Sequence, residues 1–238
     1  AFVPGKKGDC ILSADYSQVE LRLLAHFSQD KALMAAFAAD RDIHRFVASQ
    51  IFGVPEQDVT GEMRSRAKAV NFGIIYGQGP FGLSRSVGIS QAEAKKFIDD
   101  YFARYGSIRE FLDECISRAR QTGYAETILH RRRRIQNLHS KNGGKRAQAE
   151  RLAVNTVIQG SAADLIKLAM IAIQQKIDAE RLPVATLLQV HDELVFELPE
   201  VEANIHAEWI REKMSGAMRL DVPLKVDINI GPNWLSGK

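Results

Sequence analysis

The chain of 238 residues reads as an α+β fold: a small, mostly antiparallel sheet flanked by helices, with a helical insertion between its strands. Three observations predict it. The longer strand-forming runs lie toward the two ends, at 10–15, 187–196 and 224–230. The long middle carries helical periodicity, with cap and stop residues between the segments. The last run alternates Leu224, Val226, Ile228 and Ile230 with Lys225, Asp227 and Asn229, the period of two that covers a core on one face. Strands segregated from helices in this way belong to the α+β class.

CILSADYS at 10–17 predicts a buried strand ending at Asp15. Ser17 then opens a helix, with Glu20 three residues on as a capping-box partner. Val19, Leu23, Leu24 and Phe27 form the apolar face of that helix. Helices follow over 29–39 and 42–52, the second ended by Gly53 and Pro55. The next covers 61–76, with Thr60 as N-cap and Gly77 as stop. Ser90 and Glu93 form a second capping box and open a helix to Tyr105. Gly106 breaks it, and a further helix runs to Gln121 with Gly123 beyond its end. YAETILHRRRRIQNL at 124–138 reads as two short strands around a basic turn. Helices over 145–158 and 162–180 are separated by Gly160 and capped by Ser161. LLQVHDELVFELP at 187–199 is a buried hairpin, followed by a helix over 200–218 and the final strand.

Composition narrows the class without naming it. An apolar content of 45% and a charged content of 26% are those of an ordinary soluble globular chain. A net charge of +3 and a pI near 8.9 are compatible with a nucleic-acid partner. Cys10 and Cys115 are the only cysteines, too few for a disulfide framework or a zinc site, so a reducing cytoplasm is expected. No apolar run approaches the roughly 18 residues of a membrane span. The opening AFVPGKKGD is neither a signal peptide nor an initiation site, which suggests a piece of a longer protein.

Three clusters carry chemistry. EMRSRAKAVNFGIIYG at 62–77 has two unlike faces at roughly 100° per residue. Met63, Ala67, Val70 and Ile74 share the stripe that packs; Arg64, Lys68, Asn71, Phe72 and Ile75 share the other, with Tyr76 at its border. Two cations beside two rings suit a triphosphate with a base or sugar against the rings, and they equally suit a solvated basic face. Asp15 sits where a strand hands over to a helix, as a functional acid or an ordinary cap-region acid. Asp192 and Glu193 interrupt the apolar hairpin; a turn accepts Asp easily, but a bare buried carboxylate needs a partner. Strand-end aspartates that converge would make a site for hard cations such as Mg²⁺, which takes one or two carboxylates plus substrate phosphates. Arg131 to Arg134 reads as a solvated turn or a phosphate contact. Arg151, Asn155 and Gln159 share one helical face and suit base edges or plain solvent. His44 and His191 read alike as surface, packed or functional histidines.

Taken together these motifs resemble the polymerase module of family A DNA polymerases, the bacterial members in particular. DYSQVELR at 15–22 resembles the first palm motif, RSRAKAVNFGIIYG at 64–77 the fingers motif, and QVHDELVFE at 189–197 the second palm motif. Three long motifs in order are specific, and the similarity runs from near residue 1 to the closing NWLSGK.

The resemblance implies roles. Asp15 and Asp192 would hold two catalytic Mg²⁺ ions, replaceable by Mn²⁺, with the Tyr16 carbonyl assisting and Glu193 as a nearby accessory acid. Arg64 and Lys68 would grip the dNTP triphosphate, helped by His44, with Lys68 placed to protonate pyrophosphate. Phe72 would pack near the sugar, and Tyr76 would guard the nascent base pair. Glu20 would block a 2′-hydroxyl. Gln18, Arg151, Asn155, Gln159 and His191 would touch primer, template or the new pair. The catalytic set is thus Asp15, Asp192, Lys68 and Glu193. Residues 1–30 and 160–238 would be palm and 31–159 fingers, with thumb and exonuclease domains upstream. Primer-template DNA and dNTPs are the implied partners, with no membrane, in a monomeric, cytoplasmic, nucleoid-associated bacterial protein. Two departures stand out: His130 where the family often has Gly, and Val157 where Pro is common. Two other functions remain open on sequence: a single-subunit RNA polymerase, opposed by Glu20 and Glu193, and a non-catalytic nucleic-acid-binding module, opposed by the intact Asp15, Lys68 and Asp192.

Overall fold

The structure is a computed structural model that describes residues 2–236; Ala1 and the last two residues of NWLSGK lie outside the described residues. In chain order its first elements are β1 (Asp9–Tyr16), α1 (Val19–Ser28), α2 (Lys31–Ala38), α3 (Ile43–Phe52), α4 (Gly61–Ile75) and α5 (Pro80–Val87). Then come α6 (Gln91–Arg104), α7 (Gly106–Thr122), β2 (Tyr124–Glu126), β3 (Arg132–Arg134) and α8 (Gly143–Glu180). The chain closes with β4 (Ala185–Val190), β5 (Glu193–Pro199), α9 (Ala203–Ser215) and β6 (Val226–Gly231). They form two compact units, Ala1–Val19 with Ala162–Lys238, and Glu20–Ser161.

The first unit is built on a sheet of order β4-β5-β1-β6 with every pairing antiparallel. Its two inner strands are the apolar ones. Ile11, Leu12 and Ala14 of β1 and Leu194, Val195, Phe196 and Leu198 of β5 are almost fully buried. Helix α9 packs on β1 and β6 through Ala207, Ile210 and Met214. The Tyr16 hydroxyl donates to the Met214 carbonyl at 2.7 Å, which ties that helix to the strand. The hairpin is less buried than its apolar sequence predicts, because β4 is the sheet edge: Leu187 is 40% exposed. The alternation in β6 also fades, with Val226 buried but Ile230 exposed at the far edge.

The second unit is helical, with a two-stranded β2-β3 ribbon. Several of its boundaries follow from single residues. Thr60 Oγ1 accepts from Met63 N at 3.2 Å and opens α4. Ser90 and Glu93 form the reciprocal capping box of α6. Asp30 and Asp42 cap α2 and α3 through backbone N–H groups. Helix α1 begins at Val19, with Gln18 in the left-handed region at φ 55, and Glu20 accepts from Tyr76 as described below. Helix α5 was not anticipated, although Pro80 in its first turn and Gly88 at its left-handed C-cap are ordinary start and stop residues.

Gly160 does not break α8. One helix runs through it, since a mid-helix glycine costs only about 1 kcal/mol. The glycine serves packing instead: a Cβ there would lie 2.6 Å from Thr127 Cγ2. Ser161 is no cap either. Its hydroxyl donates to Val157 O at 2.5 Å and accepts from Ile128 N at 2.9 Å, joining the helix to the loop after β2. Helix α8 is also the one helix among the described residues long and apolar enough to cross a membrane, with a stretch of mean hydropathy 1.5, where no such run was expected. Its apolar residues form a stripe rather than a full apolar surface. Leu165, Ile166, Ala169, Ile173 and Ile177 are buried while Ile171 is 54% exposed, the pattern of a helix packed on one side.

Candidate active-site residues

In the first unit the strand register gathers acids in a row. Asp15 on β1 stands directly across from Glu193 on β5 and from Asp227 on β6, so the three side chains share one face of the sheet. Asp192 occupies the link between β4 and β5, and its carbonyl accepts from Tyr16 N at 3.2 Å. The link turns tightly because His191 takes φ 54. The backbone bond, from the residue after Asp15, sets Asp192 close to Asp15 at the strand end. Burial, and then the adjacent Asp192 carboxylate, push the Asp15 carboxyl up to about 6; Glu193 and Asp227 add to the effect. Neighbouring carboxylates repel each other, and a hard cation between them would satisfy both. The donor set, oxygen only, fits Mg²⁺ or Mn²⁺. Glu193 is brought near but turned aside: its Oε1 accepts from Ser13 Oγ at 2.5 Å and Trp234 Nε1 at 2.6 Å. Asp227 is the acid the sequence reading missed, taken there as the polar half of an edge strand. His191 is exposed and Gln18 half-buried.

In the second unit α4 and α3 pack together and assemble the basic and aromatic residues. Ala67, Val70 and Ile74 are buried as expected. The opposite stripe is only partly open, since Asn71 and Ile75 are buried too. Lys68 is exposed, and Arg64, Phe72 and Tyr76 are half-buried. Arg64 Nε donates to Asp42 Oδ2 at 2.7 Å. His44 is buried, shares a hydrogen bond with Asn71 Nδ2 at 3.1 Å, and lies beside the Phe72 ring at 5.8 Å. Burial first, then Arg64 and Lys68, depress the His44 imidazole to about 4. Phe72 and Tyr76 stack at 6.2 Å with 16° between planes, and the Tyr76 hydroxyl donates to Glu20 Oε2 at 2.9 Å.

On α8, Arg151 and Gln159 are exposed and Asn155 half-buried. The Asn155 amide, oriented to satisfy its neighbours, donates to Ile75 O at 3.0 Å. Gly77, at φ 64, has the Arg151 stem where a Cβ would be, 2.6 Å from Cγ, so the residue after Tyr76 must be glycine on both counts. The arginine run is exposed on β3, with Arg132 paired to Glu126 at 2.8 Å. His130 sits at φ 61, a conformation that glycine favours.

A profile of DNA polymerase family A matches residues 1–236. The chain belongs to DNA polymerase family A. Among its relatives, DNA polymerase I of Bacillus subtilis strain 168 is 49% identical over all of this chain and 27% of that protein. DNA polymerase I of Pseudomonas aeruginosa is 46% identical over 98% of this chain and 26% of that protein. A solved structure described as the POL domain of Pol1 from M. smegmatis in complex with DNA primer-template and dNTP superposes with a TM-score of 0.95 at 45% identity. It covers 100% of this chain and 42% of that one. The chain therefore spans about a quarter of the length of these curated family A relatives.

Proposed function

We propose that this chain carries the catalytic core of a DNA-directed DNA polymerase, which adds dNMP to a primer 3′-hydroxyl in replication or repair. The observation that carries the reading is the backbone bond from Tyr16 N to Asp192 O, 3.2 Å, which sets Asp192 in the β4–β5 link next to Asp15 at the end of the β1-β5 pair. Family membership supports it, as does the primer-template DNA and dNTP of the M. smegmatis relative. In family terms residues 1–30 and 160–238 would serve as palm and 31–159 as fingers.

Asp15 and Asp192 would hold two Mg²⁺ ions, with the Tyr16 carbonyl assisting. Bound there, the ions would supply charge neutralisation for both the attacking and the leaving oxygen. The primer 3′-oxygen forms a bond to the α-phosphorus of the dNTP as the bond to pyrophosphate breaks. The residues of the chain would act by positioning and charge. Arg64 and Lys68 would bind the triphosphate, and Lys68 would donate a proton to the leaving pyrophosphate. His44, uncharged at neutral pH, would orient beside Phe72 rather than add a cation. The Phe72-Tyr76 stack offers flat apolar surface to sugar and base. Glu20, held by Tyr76, would exclude a 2′-hydroxyl. Gln18, His191, Arg151, Asn155 and Gln159 would contact the nucleic acid. A monomer in the cytoplasm belongs to the same reading.

Primer extension by the natural full-length polypeptide tests it. Asp192→Asn should lower the extension rate by about a thousandfold or more. Extension near the wild-type rate would contradict the assignment.

A further inference from the structure

Four acids stand at the end of the sheet: Asp15 lies opposite Glu193 and Asp227 in register, with Asp192 in the adjoining link. The Tyr16 N to Asp192 O bond holds Asp192 beside Asp15, and among the described residues no three acids, histidines or cysteines converge as a metal-holding group. Glu193 is the near neighbour that stays out, and the cause is visible. Ser13 Oγ and Trp234 Nε1 both donate to its Oε1, at 2.5 and 2.6 Å. Glu193 and Ser13 are 7% and 4% exposed, so these charge-assisted bonds form away from water, where they hold strongly.

The indole is carried to this place by its own chain segment. The Trp234 backbone N–H donates to Phe2 O at 3.0 Å, and the two rings meet edge-on at 5.6 Å. Ser236 N donates to Asn233 Oδ1 at 2.9 Å and fixes the turn after β6. Gly231 makes room for that turn, since a Cβ there would lie 2.8 Å from Ser236 Oγ.

We propose that Trp234, together with Ser13, is a positioning residue that holds Glu193 off the Asp15–Asp192 pair, leaving those two aspartates to face the divalent cation. The inference rests on the reading of Asp15 and Asp192 as cation ligands. Without the indole donor, Glu193 loses one of the bonds that hold it aside and can join the pair. A third carboxylate binds a divalent ion more tightly, at the expense of positions that substrate oxygens would occupy.

The test is a Mn²⁺ titration of the natural full-length polypeptide, followed by electron paramagnetic resonance without DNA or nucleotide. Wild type should bind Mn²⁺ and Asp192→Asn should bind it about tenfold more weakly or worse. Equal binding by these two overturns the ligand assignment itself. With that difference present, Trp234→Phe should tighten Mn²⁺ binding about three- to tenfold, and Ser13→Ala somewhat less. Neither should have any effect when combined with Glu193→Gln. Unchanged or weaker binding in Trp234→Phe, or tightening that persists alongside Glu193→Gln, overturns the clamp alone. If Trp234→Phe fails to fold, Ser13→Ala and the wild-type spectrum carry the test. The Trp234 indole N–H resonance, assigned through its contact with the Phe2 ring, should move upfield in Glu193→Gln. A resonance that stays in place overturns the proposal.

Discussion

Tyr76 donates its phenolic hydroxyl to Glu20 Oε2 at 2.9 Å, which joins the C-terminus of α4 to the first turn of α1. The Glu20 carboxylate is thereby presented beside the Phe72–Tyr76 stack. Glu20→Ala should raise the kcat/KM for ribonucleotides relative to deoxyribonucleotides by about 10- to 100-fold. Tyr76→Phe should have a smaller effect, since the stack survives and one hydrogen bond of about 1 kcal/mol is lost. Single-nucleotide incorporation with paired dNTP and rNTP substrates measures both.

Arg64 reaches Asp42, itself the N-cap of α3. Both side chains are more than a third exposed, so the pair contributes well under about 1 kcal/mol to stability. Asp42→Asn keeps a good cap and should change the dNTP KM less than about fivefold. Arg64→Ala should raise that KM by about 10- to 100-fold. Steady-state kinetics decide; equal effects of the two variants would show that Arg64 acts only through Asp42.

His44 gives a pH dependence with a definite sign. Its pKa is about 4 folded against about 6.5 unfolded, so the unfolded chain binds the proton first as pH falls. The stability due to the neutral imidazole is complete above about pH 6.5 and is lost progressively down to about pH 4, by about 2–3 kcal/mol. Asp42, whose carboxyl is lowered mainly by its bond to Arg64 against the opposing effect of burial, loses its contribution still lower. Urea unfolding at pH 7 and pH 5 should show the decline, and His44→Gln should flatten it.

Gly160→Ala should destabilise the protein by about 1–3 kcal/mol, although alanine is the better helix former. The added methyl meets Thr127 Cγ2 at 2.6 Å. Thr127→Ser removes that methyl and should recover most of the loss in the double variant. Thermal melts of the four proteins check the coupling.

Much of this was legible in sequence because local chemistry decided it. Thr60, Ser90, Gly53 and Gly123 begin or end helices where their side chains or left-handed geometry require. What escaped depends on tertiary neighbours. Gly160 reads as a break until Thr127 is seen against it. β4 reads as buried because Leu187 and Leu188 are apolar, and only its place at the sheet edge exposes it. Asp227 reads as a solvated strand residue, and the register alone sets it opposite Asp15. Trp234 gives no sign in sequence of its bond to Glu193, because that contact spans from the last turn to the hairpin. The acids themselves were found because two adjacent carboxylates inside an apolar run demand a partner.

The most direct test of the central claim is anomalous diffraction from crystals of the natural full-length polypeptide soaked in Mn²⁺. The account predicts peaks about 2.1–2.2 Å from carboxylate oxygens of both Asp15 and Asp192, with Glu193 still bonded to Trp234. Mn²⁺ bound elsewhere, or no peak at those two aspartates, would contradict it.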